Sequence, residues 1–180
     1  MPYLINKDIK NLIKENSIKT SSSFNKNQIQ PASLDLSLSS KCYRIKASFI
    51  PNKQPISKII NELSLVQIDL NKEFLFEKNC IYLCELNESL NLPNKVKGKA
   101  NPKSTTGRLD IFTRLITEYG TEYDEIDHGY SGKLYLEIIP QSFSIELKKN
   151  ICLNQIRFFD GSDENIQKKI KISVSIQKGK

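Results

Sequence analysis

The sequence predicts one domain of the mainly β class, a distorted β-barrel or double-sheet jelly roll with a short helix near its amino terminus. Three observations support this prediction. Apolar residues follow a helical period only at the start of the chain, and from Leu34 onward they alternate with polar residues. Turn-forming residues divide the alternating part into many short runs. A chain of 180 residues is long enough to bury a core for a domain of this kind.

The amino-terminal part carries the only helical pattern. Ile5, Ile9 and Leu12 recur at helical spacing, which predicts an amphipathic helix over about residues 6–16. The stretch 19–28 is rich in Ser and Asn and predicts a loop. The period of the apolar residues changes after this loop.

The remainder predicts short strands. They are expected at 32–38, 43–50, 65–70, 74–77, 81–86, 96–100, 109–114, 132–139, 144–147, 155–159 and 170–175. Pro51 and Pro55 interrupt the segment 48–59, which we expect to be an excursion from the sheet. Residues 160–169 favour a turn or short helix. We take residues 1–180 as a single domain, with 160–180 as a flexible or incomplete carboxy-terminal segment.

Composition and charge limit the classes of function. The chain is 38% hydrophobic and 26% charged, as in soluble globular proteins. Its apolar runs fall short of the ~18 residues of a membrane span. Its start contains Asp8 and no apolar core of a signal peptide, so we expect a cytoplasmic protein without a membrane partner. The net charge of +7 either favours an anionic partner or reflects a biased genome composition. The lysines are scattered rather than arranged in one stripe, which favours a small polyphosphate over nucleic acid.

Zinc chemistry is excluded by the residue types. Zinc-dependent base deaminases need a His-x-Glu motif and a Pro-Cys-x-x-Cys motif. The only histidine is His128, and neither motif is present. We therefore expect no metal bound by the protein itself. The four cysteines stand in a chain expected to be intracellular, so we expect them to be thiols rather than disulfides.

The first segment with chemical potential is Ala100-Asn-Pro-Lys-Ser-Thr-Thr-Gly-Arg-Leu. It joins hydroxyl groups, a glycine and two cations directly after a predicted strand. Backbone amides and hydroxyls in such a turn can bind phosphate, and Lys103 and Arg108 can neutralise it. The pattern alone is also typical of a solvated turn.

The second segment is Ile126-Asp-His-Gly-Tyr-Ser-Gly-Lys-Leu-Tyr-Leu-Glu. Gly129 and Gly132 flank Tyr130, so the backbone can turn sharply there. Glu137 then lies on a predicted strand that is otherwise largely apolar, and a buried carboxylate needs either a partner or a function. The pattern leaves two interpretations open, an ion pair with Arg108 or Arg114 and a catalytic acid or base. A third segment, Leu153-Asn-Gln-Ile, offers the amide of Gln155 to a base or a phosphate, or places it as a polar edge residue.

Taken in order, these segments resemble the motifs of dCTP deaminases. Gln30-Pro-Ala-Ser-Leu-Asp-Leu-Ser-Leu resembles their first motif, and Lys103-Ser-Thr-Thr-Gly-Arg-Leu resembles their Arg-Ser-Ser-Leu-Ala-Arg-Leu motif. Ile126-Asp-His-Gly-Tyr-Ser-Gly resembles Ile-Asp-Pro-Gly-x-x-Gly, and Leu136-Glu137 falls on the catalytic Leu-Glu pair. Leu153-Asn-Gln-Ile falls on the Gly-Gln-Leu segment.

The resemblance covers about residues 4–160 and is closer to the amino-terminal half of a longer, two-domain bacterial type. It implies a dUTPase-like barrel, a homotrimer with sites between subunits, and Mg²⁺ bound through the nucleotide triphosphate. The sequence departs from the family at His128, which replaces a proline, and at Thr106 and Gly107, which replace Leu-Ala. No segment after Phe159 resembles the tail that closes over the triphosphate in the short enzymes.

The resemblance also implies roles for individual residues. Glu137 would move protons between a water and the cytosine ring. Ser104 would hold the water or the leaving amine, and Arg108 would lie near Glu137 and favour its ionised form. The remaining candidates would bind the substrate: Asp127 and Tyr130 at the deoxyribose, and Lys103, Thr105 and Gln155 at the phosphates or the base.

The implied function is hydrolytic deamination of dCTP to dUTP and ammonia. Two alternatives stay open. One is a dUTPase, or a bifunctional enzyme that makes dUMP from dCTP. The other is a non-catalytic, nucleotide-binding half that works only with a second domain.

Overall fold

The computed structural model describes residues 2–25 and 27–161. Within them the chain forms three helices and eleven strands. In chain order these are α1 (Asn6–Lys14), β1 (Ile18–Thr20), β2 (Leu34–Ile45), α2 (Ile56–Leu63), β3 (Ser64–Asp69), β4 (Phe74–Phe76), β5 (Ile81–Asn91), β6 (Val96–Pro102), α3 (Ser104–Arg108), β7 (Ile111–Thr117), β8 (Glu125–Ile126), β9 (Ser131–Pro140), β10 (Ile145–Leu147) and β11 (Cys152–Asp160).

Helix α1 forms for the reason its sequence suggests. Ile9 and Leu12 lie on one face and are buried against the barrel. The Asp8 carboxylate accepts the Ile5 backbone N–H at 3.0 Å and so satisfies a donor at the start of the helix. The chain leaves the helix through Asn16, whose φ of 57° lies in the left-handed region.

Nine strands form one antiparallel sheet that curls into a nearly closed barrel. Along the sheet the order is β7-β9-β5-β2-β11-β6-β8, with β1 added to β5 and β3 added to β2. Strands β4 and β10 form a separate two-stranded ribbon. The strict alternation in β2 buries Leu34, Leu36 and Leu38 inside the barrel, as the period of two requires.

A second apolar cluster lies on the outer face of the sheet. Its buried members are Ile45, Ile56, Leu83, Ile116 and Tyr135. Ile56 belongs to α2, which packs across this face of the sheet, so both faces of β9 are covered in its middle. This explains why Leu134 through Ile138 are all buried despite their alternation.

The predicted fold class is confirmed: the chain is mainly β, barrel-like, and has one short helix near its amino terminus. The excursion at 48–59 leads into helix α2, which the two prolines hid from the sequence pattern. The two strands expected at 32–38 and 43–50 are the single strand β2, and the short strands β1 and β8 were not predicted. The strand expected at 170–175 and almost all of the segment 160–180 lie outside the described residues.

Two of the four cysteines correct an expectation. Cys42 and Cys84 are register partners on β2 and β5, are fully buried, and form a disulfide. The expectation of four thiols is wrong for this pair, because the strand register places the two side chains directly opposite each other. Cys80 and Cys152 are free.

Among the described helices, none has the length and apolar character needed to cross a membrane.

Candidate active site

Strand pairing brings three of the predicted segments to one place. Gln155 of β11 is the register partner of Asp35 in β2, and Asn154 is the partner of Pro102 at the end of β6. The residues that follow Pro102 therefore lie over the β2–β11 pair. Lys103 forms an ion pair there with the buried carboxylate of Asp35.

A cavity of about 530 Å³ opens at this ion pair, and we call it the Lys103 cavity. It is lined by Gln30, Pro31, Ala32, Ser33, Asp35, Lys103, Ser104, Gln155 and Arg157. Inside it, the Ser33 hydroxyl donates to the Gln155 side-chain oxygen at 3.0 Å. The cavity thus combines two cations, hydroxyls and amides, which are the groups that bind phosphate oxygens.

A second cavity, of about 490 Å³, lies on the other side of the same ion pair. It shares Gln30, Asp35 and Lys103 with the first. Its other lining residues are Ser22, Ser23, Asn25, Asn27, Gln28, Ser37, Asn150 and Cys152. Burial raises the pKa of the Cys152 thiol to about 11, so this thiol is protonated at neutral pH.

Helix α3 replaces the turn expected after β6. Its inner side is fixed to β11, because the Thr106 hydroxyl donates to the Leu153 carbonyl at 2.7 Å. Ser104, Thr105 and Arg108 are exposed on the outer side. The helix therefore presents two hydroxyls and a guanidinium away from the barrel.

Glu137 occupies a different part of the molecule. It lies in β9 opposite Arg114 of β7, with Leu83 of β5 on its other side, and it is 0% exposed. Arg114 donates to the Glu137 Oε1 atom from Nε at 2.9 Å and from Nη2 at 2.5 Å. The Oε2 atom is buried and has no hydrogen-bond partner. The guanidinium carbon of Arg114 lies 3.9 Å from the ring centroid of Tyr123, in a cation–π contact.

A second carboxylate, that of Glu118, connects helix α2 to the sheet. Glu118 accepts the backbone N–H of Ile56 at the start of α2 at 2.9 Å, and it accepts the Tyr135 hydroxyl at 3.2 Å. Burial is the main cause that raises the Tyr135 pKa, and the nearby Glu118 charge raises it further. Tyr135 precedes Glu137 by two residues on the same face of β9. Glu118 therefore fixes α2 beside the catalytic candidate.

The glycine-flanked turn lies next to Glu118. The Tyr130 hydroxyl accepts the Glu118 backbone N–H at 2.9 Å and donates to the Lys133 carbonyl at 2.5 Å. Gly129 has a φ of 65°, a conformation that glycine adopts without strain. Burial raises the pKa of Tyr130 above its ordinary value. Asp127 is exposed.

Five of the eight predicted site residues fall into two groups in one chain, and the other three, Thr105, Arg108 and Asp127, are exposed. Lys103, Ser104 and Gln155 line the Lys103 cavity, whereas Glu137 and Tyr130 lie in the neighbourhood of Glu118. The guanidinium beside Glu137 in this chain is that of Arg114, and the predicted proximity of Arg108 to Glu137 stays a prediction.

Sequence reasoning missed several residues of these sites. Arg157 in the Lys103 cavity had no distinguishing pattern, whereas Ser33 lies within the motif that begins at Gln30 but was given no role. Asp35 carried a signal, since it is an acid inside the alternating leucine run of β2. Tyr123 had no signal, because the stretch 118–125 is irregular.

The described residues hold no group of three or more His, Cys, Asp or Glu side chains that could bind a metal ion. The expectation that the protein itself binds no metal stays a prediction. The acids of the two sites, Asp35 and Glu137, are each engaged by a basic side chain instead.

Comparison with known proteins agrees with the motif pattern. A family model described as the 2'-deoxycytidine 5'-triphosphate deaminase (DCD) N-terminal domain matches residues 3–162. The crystal structure of 2'-deoxycytidine 5'-triphosphate deaminase from Agrobacterium tumefaciens is 43% identical, with a TM-score of 0.84, over 87% of this chain and 47% of that one.

Two curated relatives are named dCTP deaminase, dUMP-forming. The protein from Methanosphaera stadtmanae is 29% identical over 140 residues, which are 77% of this chain and 68% of that protein. The protein from Coprothermobacter proteolyticus is 28% identical over 111 residues, 62% of this chain and 56% of that protein. The chain therefore spans about half of the Agrobacterium chain and a little over half to two thirds of these curated relatives. The match over residues 3–162 shows that the chain belongs to the dCTP deaminase family and corresponds to its amino-terminal domain.

Proposed function

We propose that this chain catalyses hydrolytic deamination of dCTP to dUTP and ammonia, with Glu137 as the proton-transferring carboxylate. The observation that carries the proposal is the state of that side chain: one oxygen bound by a guanidinium and the other buried without a partner. An unpartnered buried oxygen is costly to folding, and such cost is found where a group has a function. Membership of the dCTP deaminase family supports the reaction class.

The chemistry follows from one carboxylate. Water adds to C4 of the cytosine ring as Glu137 removes a proton from it, and the same carboxyl group then protonates N3. A second proton transfer carries the remaining water-derived proton to the amino group, which leaves as ammonia, and uracil remains. In this scheme Ser104 holds the water or the leaving amine.

The triphosphate is assigned to the Lys103 cavity. Lys103, Gln155 and Arg157 supply charge and amide contacts, and the exposed hydroxyls of Ser104 and Thr105 lie at its edge. Mg²⁺ would be bound by the triphosphate oxygens, which suit this hard cation. Asp127 and Tyr130 are proposed at the deoxyribose.

The two groups of residues would meet between subunits of a homotrimer. Arg108 and Ser104 are exposed on α3, whereas Glu137 is fully buried in β9. A neighbouring subunit would bring Ser104 and Arg108 to Glu137, and the side chains that bury the carboxylate would have to move for cytosine to enter.

The experiment incubates the purified protein with Mg²⁺ and either dCTP or dUTP and separates the nucleotides by chromatography. We expect dUTP and ammonia from dCTP, and a loss of at least about 10²-fold in Glu137→Gln. Glutamine keeps an oxygen for Arg114, so the variant should fold. Glu146→Gln, the same change at an exposed position of β10, is the matched control and should keep full activity.

The same assay separates the alternatives. Formation of dUMP and pyrophosphate from dCTP would establish a bifunctional enzyme, a product favoured by the dUMP-forming names of the curated relatives. Conversion of dUTP alone would establish a dUTPase. Binding of dCTP in calorimetry without turnover would establish a nucleotide-binding half. Each of these last two outcomes would contradict the deaminase proposal for this chain.

A further inference from the structure

We infer that Arg114 is the positioning residue for Glu137, binding Oε1 so that Oε2 alone exchanges protons. The inference rests on the proposed function, in which Glu137 carries protons to cytosine. It concerns the separate roles of the two carboxylate oxygens and places Arg114 at Oε1 within the chain, while Arg108 is still proposed to reach the site from a neighbouring subunit.

The geometry of the ion pair is asymmetric. A guanidinium normally binds a carboxylate with two parallel hydrogen bonds, one to each oxygen. Here both donors of Arg114 point to Oε1, from Nε at 2.9 Å and Nη2 at 2.5 Å. Oε2 is left as a buried acceptor without a partner. One carboxylate oxygen is therefore occupied by donors that cannot lose a proton, while the other has a free lone pair.

The guanidinium is itself held in place. Its carbon lies 3.9 Å from the ring centroid of Tyr123 and 5.0 Å from that of Phe112. Direct register pairing of Arg114 with Glu137 on β7 and β9 fixes the two backbones. The Arg114 side chain is 24% exposed, so it lies between the fully buried carboxylate and solvent.

This arrangement has a chemical consequence. Because donors occupy Oε1, the proton taken from water goes to Oε2, and it is released again from the same atom. Lysine cannot reproduce this pattern, since its ammonium lacks the planar fork and does not stack in the same way between two rings.

The first test measures kcat and KM for dCTP across pH in Arg114→Lys and Arg114→Gln. We expect kcat to fall by at least about 10-fold in each while KM changes by less than about 3-fold. In Arg114→Gln, which lacks the charge, the acid limb of the kcat profile should move to higher pH. Arg44→Gln, which removes a surface ion pair with Glu77, is the matched control and should change neither quantity. Equal losses in kcat and in thermal stability without movement of the acid limb would overturn the inference.

The second test does not need turnover. Protein labelled with ¹³C at glutamate carboxyl carbons gives one carboxyl resonance per glutamate, and Glu137→Gln identifies the one of interest. In Arg114→Gln this resonance should move, because Oε1 loses both guanidinium donors, and in Arg44→Gln it should stay in place. If wild type fails to deaminate dCTP but the resonance responds, the proposed function fails and the ion-pair role survives. If wild type is active and the resonance is unchanged in Arg114→Gln, the inference about Arg114 is wrong.

Discussion

The buried carboxylates differ in the groups that bind them, which are cations in two cases and neutral donors in the third. In the described part of the chain Asp35, Glu88 and Glu137 are almost completely removed from water. Lys103 pairs with Asp35 and Arg114 with Glu137, whereas Glu88 is bound by neutral donors. A cation compensates the charge that burial disfavours, and neutral donors do so only in part. Burial accordingly raises the pKa of Glu88, and its hydrogen bonds offset this only partly.

This difference predicts a pH-dependent contribution from Glu88, which is 1% exposed. The pKa of Glu88 is raised in the folded state. Its contribution to the free energy of unfolding is therefore fully present below the unfolded pKa of about 4.5 and is lost as pH rises through the folded pKa. Glu88→Gln removes this dependence. The free energy of unfolding of the variant minus that of wild type should therefore be more positive at about pH 8 than at about pH 5.

Urea denaturation at the two pH values measures that difference. Glu146→Gln serves as the control for a loss of charge at an exposed site. A difference between Glu88→Gln and wild type that stays constant with pH would show that the Glu88 carboxyl group does not change its ionisation on folding.

The burial of a residue could be predicted from the sequence more readily than the partner it binds. The alternation of β9 predicted that Glu137 is buried, and this is confirmed. Its partner could not be predicted, because Arg108 and Arg114 are both cations on the same stretch of sequence. The choice depends on the register of β7 against β9, which is set by packing across the barrel and by no local pattern.

At the level of elements, Asp124 forms hydrogen bonds to two strands that do not pair with each other, β6 and β7. Asp124 accepts the Leu115 N–H with its carboxylate at 2.7 Å, donates its own N–H to the Leu115 carbonyl at 2.9 Å, and accepts the Ala100 N–H at 2.8 Å. Its φ of 62° places it in the left-handed region. Asp124 therefore joins β6 to β7 at the seam of the barrel.

We expect Asp124→Ala to lower the free energy of unfolding by about 1–3 kcal/mol, because the Leu115 N–H loses its acceptor and alanine strains the positive φ. Asp124→Asn should cost less, since asparagine tolerates this conformation and keeps an oxygen for the same N–H. Urea denaturation of the two variants measures the contrast. Equal losses in both would mean that the negative charge, and not the acceptor, joins the strands.

Sequence patterns found the paired strands and missed the elements that complete the barrel. Alternation is a property of a strand with one buried face, so β5, β6 and β11 were recognised. Strand β8 has two residues and shows no period. Helix α2 follows two prolines and packs on the outer face of the sheet. It was missed because the local sequence does not show that the apolar side chains on that face of β9 need another element to bury them.

At the level of the whole molecule, one chain presents its candidate residues in separate places. The Lys103 cavity is open at the surface, while Glu137 is fully buried under the outer apolar cluster. A reaction that needs both a bound triphosphate and a proton carrier at the base must bring these places together. Either the chain rearranges, or a second copy supplies the missing residues, and the two possibilities make different predictions for mixed assemblies.

Mixing Glu137→Gln with Arg108→Ala distinguishes them, because the proposed site needs Glu137 of one chain and Arg108 of its neighbour, so each variant alone should lack activity on dCTP. Glu137→Gln and Arg108→Ala chains are unfolded together and refolded, or coexpressed, so that mixed assemblies form. If each site takes Glu137 from one chain and Arg108 from its neighbour, random mixing should restore about one quarter of the wild-type activity on dCTP, because that share of sites receives both intact residues. A mixture of Glu137→Gln with itself under the same treatment is the control. Sites built within one chain would gain nothing from mixing, since every chain carries one of the two defects. Sedimentation of the mixture gives the number of chains per assembly, and a monomer would contradict the trimer in the same experiment.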